Sequence, residues 1–206
     1  MRKTVTLIVA AILVAWSGYG MGQAATLDAE HEEPVAQIIQ RIDDLEKMST
    51  AFTQHNHIAA LQAPLVSAGE VFVDSELGIA WYVREPLASK LIITDHGIDT
   101  GTGLLSASRS VAQLLRAVIT GDFEGLSNLF SIAAKNDADL WRLDLHPKDA
   151  VLESRIESMQ LQGSSWIQQL QVIQPGGNRI VITFSEPQPL TTLPARVYED
   201  LAPNDL

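Results

Sequence analysis

Cysteine is absent from the 206 residues. Its absence excludes a disulfide framework, thiolate metal sites, a cysteine nucleophile and a lipid-anchored N-terminal cysteine, because each needs the sulfur. Basic residues are scarce: 14 Lys and Arg stand against 25 Asp and Glu, a formal net charge of −11. A field of that sign repels phosphates, which argues against nucleic acid or an anionic membrane surface as a partner. The nucleophile-elbow pattern Gly-x-Ser-x-Gly does not occur, and Ser106 and Ser108 lack the flanking glycines that make its strained turn. The glycines at 97, 101 and 103 are followed by neither the helix nor the Lys of a phosphate-binding loop. Nothing in the sequence supports an enzyme, and no cofactor is expected.

Long apolar runs are also missing, with one exception at the N-terminus. Arg2 and Lys3 precede an apolar run from Val5 to Trp16, and Gly22-Gln23-Ala24 places small residues at the −3 and −1 positions of a cleavage site. This is the three-part layout of a secretory signal peptide. The run is shorter than the roughly 20 residues of a membrane-spanning helix. Residues 1–24 are therefore expected to be a signal peptide and residues 25–206 a single exported domain. Removing residues 1–24 takes away two positive charges and leaves 12 basic residues against 25 acidic ones, a net charge of −13. The style of the signal points to a bacterial periplasm.

The hydrophobic content of 46% with 19% charged residues is that of a globular chain. Val35, Ile38, Ile39, Ile42, Leu45 and Met48 recur at helical spacing, which predicts an amphipathic helix from Pro34 through about Thr50. The period then changes to two. Strands are expected at Phe52–Ile58, Val66–Val73, Ile79–Arg84 and Lys90–Thr94, and their short connections favour antiparallel hairpins. Residues 109–130 return to helical spacing: Val111, Leu114, Leu115, Val118 and Ile119 form one face. Gly121 interrupts the pattern before Phe123, Leu126, Leu129 and Phe130. Further strands are expected at Asp139–Leu145, Ile156–Leu161, Trp166–Ile173 and Arg179–Phe184. The turn Gln174-Pro-Gly-Gly-Asn178 joins the last two. The tail from Glu186 holds four prolines and reads as irregular. Helices and antiparallel strands segregated in this way indicate an α+β fold, a curved antiparallel sheet with helices over one face or mouth.

Two strands, Val71-Phe72-Val73 and Leu91-Ile92-Ile93, are apolar on both faces, which fits either a plain core or the lining of a ligand cavity. His55-x-His57 would share one face of a strand, as a metal pair does, but a third ligand at His96 or His146 is not brought close by anything in the sequence. No metal site is expected, and carboxylate pairs such as Glu153/Glu157 read as solvated charges.

Several words in the chain occur in a recognisable order: Phe52-Thr-Gln54, Gly69-Glu-Val-Phe-Val73, Ile79-Ala-Trp81, Pro86, Leu91-Ile-Ile-Thr-Asp-His-Gly97 and Leu143-Asp-Leu-His-Pro-Lys148. In this order and at this spacing, over residues 34–185, the sequence resembles the LolA family of periplasmic lipoprotein carriers. The resemblance implies an unclosed antiparallel β-barrel with a helical lid around a hydrophobic cavity. It implies a monomer that shelters the acyl chains of a lipoprotein or other lipid-linked cargo between an inner-membrane donor and an outer-membrane acceptor. Combined with strand alternation, it points to Val71, Val73, Ile79, Trp81, Val83 and Ile92 as cavity residues. Leu114, Leu115, Val118, Ile119, Phe123 and Leu126 would belong to the lid. Members of the family carry a basic residue, usually followed by Pro, shortly before the Trp strand; Ser75 and Glu76 stand there in this chain. The departure suggests a divergent paralogue, with a lipid- or lipoprotein-sensing protein of the same fold as the alternative.

Overall fold

The computed structural model describes residues 35–38, 40–42, 46–94, 97–99, 104–105, 126–137, 139–148 and 150–202. The expected signal peptide, and Leu114, Leu115, Val118, Ile119 and Phe123 of the expected lid, lie outside them.

Among the described residues twelve strands form one antiparallel sheet. In chain order they are β1 (Lys47–His57), β2 (Leu65–Asp74), β3 (Gly78–Glu85), β4 (Ser89–Thr94), β5 (Gly97–Asp99), β6 (Leu104–Leu105), β7 (Phe130–Asn136), β8 (Trp141–Pro147), β9 (Ser158–Gly163), β10 (Ile167–Gln174), β11 (Asn178–Phe184) and β12 (Gln188–Pro189). Two local meanders, β1 to β6 and β7 to β11, are joined where β11 pairs with β1. The spatial order is β6-β5-β4-β3-β2-β1-β11-β10-β9-β8-β7, and β12 prolongs the β11 side by pairing with the start of β1. The path ends at β6 and β7, so the barrel is unclosed. Short helices α1 (Ala150–Glu153) and α2 (Ala195–Leu201) complete the described regular structure, together with helical residues at 35–38, 40, 41, 126 and 127.

Alternation sorts the side chains into two clusters. The larger lies on the inner face and runs from Ile98 on β5, through Trp81, Phe52, Ile182 and Leu161, to Phe130 on β7, joined by Val35, Ile38 and Leu126. Arg41 Nη1 donates to Asn136 Oδ1 at 2.6 Å and to the Asp137 carbonyl at 2.7 Å, which ties the N-terminal helical segment to the end of β7. The smaller cluster lies behind β2–β4, where Phe72, Ala80, Tyr82 and Ile92 meet Val197 and Leu201 of α2.

Two glycines allow the sheet to bend. The β2–β3 register shifts between Ala68 and Gly69, and the β9–β10 register between Ile167 and Gln169, opposite Gly163. A Cβ on Gly69 would lie 1.9 Å from the Tyr82 carbonyl oxygen and 2.9 Å from a Phe52 ring carbon. A Cβ on Gly163 would lie 1.9 Å from the Trp166 carbonyl oxygen and 2.8 Å from a Trp141 ring carbon. Each irregularity thus depends on a missing side chain, with an aromatic ring occupying the space over the glycine.

Three expectations about element type need correction. The first helix does not continue to Thr50: β1 begins at Lys47, because Thr50, Phe52, Gln54 and Asn56 alternate inward and Phe52 and Met48 find partners across two neighbouring strands. Phe130 opens strand β7 rather than ending a helix. The tail is not irregular: it forms β12 and then α2, whose Val197 and Leu201 lie one turn apart on the buried side. Among the described residues no helix is long and apolar enough to cross a membrane.

Candidate functional site

The candidate site is the inner face of the unclosed sheet. Its centre is aromatic: the Phe52 and Trp81 rings are 4.5 Å apart between centroids, and Phe184 meets Trp81 edge-on at 6.0 Å. These separations suit the tilted and edge-to-face packing that aromatic quadrupoles favour. Register explains the grouping, since Phe52 pairs with Gly69 on β2 and with Phe184 on β11. With no side chain on Gly69, the Phe52 ring can reach Trp81 across β2.

Five of the six expected cavity residues on strands come together here. Val71, Val73, Ile79, Trp81 and Val83 are buried in the inner cluster, as is Leu126. Ile92 is not among them. It pairs with Ala80, whereas Leu91 pairs with Trp81 and Ile93 with Ile79. Paired residues share a face, so Leu91 and Ile93 look inward and Ile92 packs on α2 behind the sheet. In this register Ile92 and Trp81 cannot both face inward, because Ile92 shares the face of Ala80, and Ala80 and Trp81 are consecutive on β3 and face opposite sides. Phe52, Phe184, Leu91 and Ile93 belong to the inner face and were not singled out from the sequence. Counting register outward from Trp81 would have found Leu91 and Ile93.

One stretch of the inner face is polar. Gln54, Asn56 and Ser67 are 6%, 6% and 4% exposed. Gln54 pairs with Ser67 and with Ile182, and Asn56 with Ile180, so all three side chains share the inner face. They follow Phe52 along β1 toward the end of the strand.

The ionic groups lie elsewhere. The buried Asp74 accepts from Lys47 at 2.9 Å and from the backbone N–H groups of Glu76 and Leu77 at 2.9 and 3.0 Å, closing the β2–β3 turn. Burial alone would raise the Asp74 carboxyl, but these hydrogen bonds outweigh it and hold it below the usual carboxylate range. Ser75 belongs to the same turn, where its N–H donates to the Glu46 carbonyl at 2.9 Å. Behind the sheet, Asp200 of α2 accepts from Tyr82 Oη at 2.7 Å and from Lys90 Nζ at 2.6 Å. The Arg196 guanidinium stands 4.3 Å over the Tyr82 ring. Burial, followed by the hydrogen bond to Asp200, pushes the Tyr82 phenol well above its usual value. Burial would also raise Asp200, but donation from Lys90 and Tyr82 keeps it low. These groups fasten α2 to the back of the sheet and do not face the inner surface.

His55 and His57 sit on the outer side of β1 with ring centroids 6.4 Å apart. His146 lies on β8, four strand positions away in the sheet, and His96 lies outside the described residues. Among the described residues no group of three or more His, Asp or Glu could hold a metal ion.

No protein-family model matches the sequence, and no curated protein matches it. Among solved structures, the chain is similar to a LolA superfamily protein from Nitrosomonas europaea, with 10% identity and a TM-score of 0.46, over 84% of this chain and 98% of that one. It is similar to a chain of the Pseudomonas aeruginosa MucA/MucB complex, with 13% identity and a TM-score of 0.45, over 79% of this chain and 59% of that one. It is also similar to LprF from Mycobacterium bovis, with 11% identity and a TM-score of 0.38, over 82% of this chain and 98% of that one.

Proposed function

We propose that this chain is an exported carrier of the LolA type that shelters the acyl chains of a lipoprotein or other lipid-linked cargo against the inner face of its unclosed barrel. The observation that carries the reading is the hydrophobic cluster on the inner face, which runs from β5 to β7 in a sheet whose two ends remain unjoined among the described residues. Each methylene moved from water to such a surface gains about 0.8 kcal/mol, so a long chain needs a sheath to cross an aqueous compartment. The ordered sequence words from Phe52 to Lys148 support the same reading. The amphipathic sequence pattern at 109–129 suits a lid, because that segment lies between the two open edges, β6 and β7, in the chain. Export follows from Arg2-Lys3, the apolar run and Gly22-x-Ala24, with processing after Ala24.

Protein purified from its native envelope and analysed by mass spectrometry tests the proposal. An N-terminus at Ala25 and a co-purifying acylated species are expected. In vitro, an acyl-chain ligand should alter Trp81 emission when Trp141 and Trp166 are replaced. Protein that arrives without acylated material and binds no acyl probe in solution would overturn the carrier reading.

A further inference from the structure

Gln54, Asn56 and Ser67 occupy positions where the alternation of the inner face calls for apolar side chains. Their cross-strand neighbours Ile180 and Ile182 are buried, as is Phe52 on the same strand. Burying an amide or hydroxyl without a partner is unfavourable, so such groups ordinarily find hydrogen bonds within the protein. Among the described residues none of these three side chains makes a hydrogen bond to the protein, and since Trp166 Nε1 is the one fully buried polar atom there without a partner, their polar ends keep contact with solvent. Thr50, on the same face two residues before Phe52, differs: its hydroxyl donates to the Ser185 carbonyl at 2.7 Å. The three polar groups are also uncharged. Asp74 is the one buried carboxylate among the described residues, and it is committed to Lys47 and the β2–β3 turn.

We infer that Gln54, Asn56 and Ser67 form a hydrogen-bonding station for the neutral ester or amide group at the head of an acyl chain whose hydrocarbon lies along Phe52 and Trp81. This rests on the carrier reading and adds to it the position and chemistry of the polar end. The two carboxamides supply N–H donors that an acyl carbonyl can accept, and carboxamides and hydroxyl together can accept from an amide N–H or glycerol hydroxyl. With no cation on this part of the face among the described residues, a phosphate or free carboxylate would be desolvated there without a counter-charge. The station therefore selects the acyl linkage and leaves an anionic headgroup to solvent. Acyl glycerols and lipoprotein N-termini both carry that linkage.

Three probes separate the outcomes: diphenylhexatriene, a hydrocarbon dye with no polar group; a monoacylglycerol; and a synthetic lipopeptide bearing ester-linked acyl chains. Q54L and N56L, alone and combined, are compared with the unaltered protein. Q54M serves as a closer replacement if the leucines disturb folding. Because these side chains make no hydrogen bond to the protein, replacing them should leave the melting temperature unchanged or higher. Dye binding should be retained, while binding of an ester-bearing ligand should weaken about tenfold in the double variant. Weakening for both ester probes assigns the station to the shared linkage, and weakening for one of them identifies the source. If the variants bind the ester ligands as tightly as the unaltered protein, the station is only a hydrated rim and the inference fails while the carrier reading stands. If the unaltered protein binds none of the probes, both fail. A lower melting temperature with equal losses for dye and esters would show that the three side chains are structural.

Discussion

The sheet has one inner face but two different backs. Behind β2–β4 the outward positions are Phe72, Ala80, Tyr82 and Ile92, all buried beneath α2. Behind β8–β10 the outward positions include Arg142, Asp144, Gln160, Gln162, Gln169 and Gln171, with Ile173 the one large apolar side chain among them. There Gln160 donates to Asp144 at 2.7 Å and Gln162 to Gln169 at 3.1 Å. The first region is a three-layer sandwich in miniature, with a helix behind it. The second is a sheet with one wet side, the common arrangement for antiparallel strands. The contrast shows how one region can be fixed from behind, by groups remote from the inner face, while among the described residues the inner surface carries no ion pair.

The comparison is broken most directly by removing α2. A chain ending at Pro194 exposes Phe72, Tyr82 and Ile92 and loses Val197 and Leu201. The expected loss is of order 5 kcal/mol, measured by urea unfolding, with aggregation of the truncated chain. A truncated chain that melts like the full one would show that α2 is only an appendage. Next in size is a matched pair of outward substitutions. Ile92→Ala should cost about 2–4 kcal/mol, and Gln171→Ala less than about 0.5 kcal/mol. Equal costs would mean that the two backs are energetically alike.

Gly69→Ala and Gly163→Ala sharpen the comparison from the other direction, since the two regions share this device. Each should cost about 1–3 kcal/mol by forcing a Cβ against a backbone carbonyl, and Phe52→Ala should not rescue Gly69→Ala. Relief by Phe52→Ala would identify the ring, rather than the Tyr82 carbonyl, as the obstacle. The smallest effect concerns acid. Asp74 and Asp200 have folded-state affinities for protons below their unfolded ones. Their contribution is complete above the ordinary carboxylate value and is lost as pH falls through the lowered folded values. Both belong to the β2–β4 region. Hydrogen exchange below about pH 4 should therefore show β2–β4 losing protection ahead of β8–β10. Loss in the opposite order would contradict this assignment.

Much of the second meander was legible because its sequence alternates cleanly. The strands expected around Trp166–Ile173 and Arg179–Phe184 are found at Ile167–Gln174 and Asn178–Phe184. The turn between them has Gly176 and Gly177 at φ of +82° and +80°, a conformation that glycine adopts without penalty. The first meander was legible as strands but not as faces. Apolar residues on both sides of Val71–Val73 and Leu91–Ile93 erase the period-two signal, so Ile92 was assigned inward when only its pairing with Ala80 reveals the back. The cover on that back was missed because four prolines obscured a helix of seven residues. The i, i+4 spacing of Val197 and Leu201, with Pro194 just before the first turn, was the available signal. The helical reading overran into Lys47–Thr50 because Met48 satisfies a helical and an alternating pattern alike.

The joint between β1 and β11 has a consequence for the order in which the chain is made. The neighbours of Phe52 and Gln54 across that joint are Phe184 and Ile182, near the far end of the sequence. Each meander can form from contacts close in sequence, whereas this pairing closes a loop of more than a hundred residues and is correspondingly slow. A chain emerging from its N-terminus must therefore carry β1 as an open strand edge until nearly all the rest has followed. An unpaired edge invites pairing with any other extended strand. A chaperone that shields β1 during that interval would have its largest effect on yield.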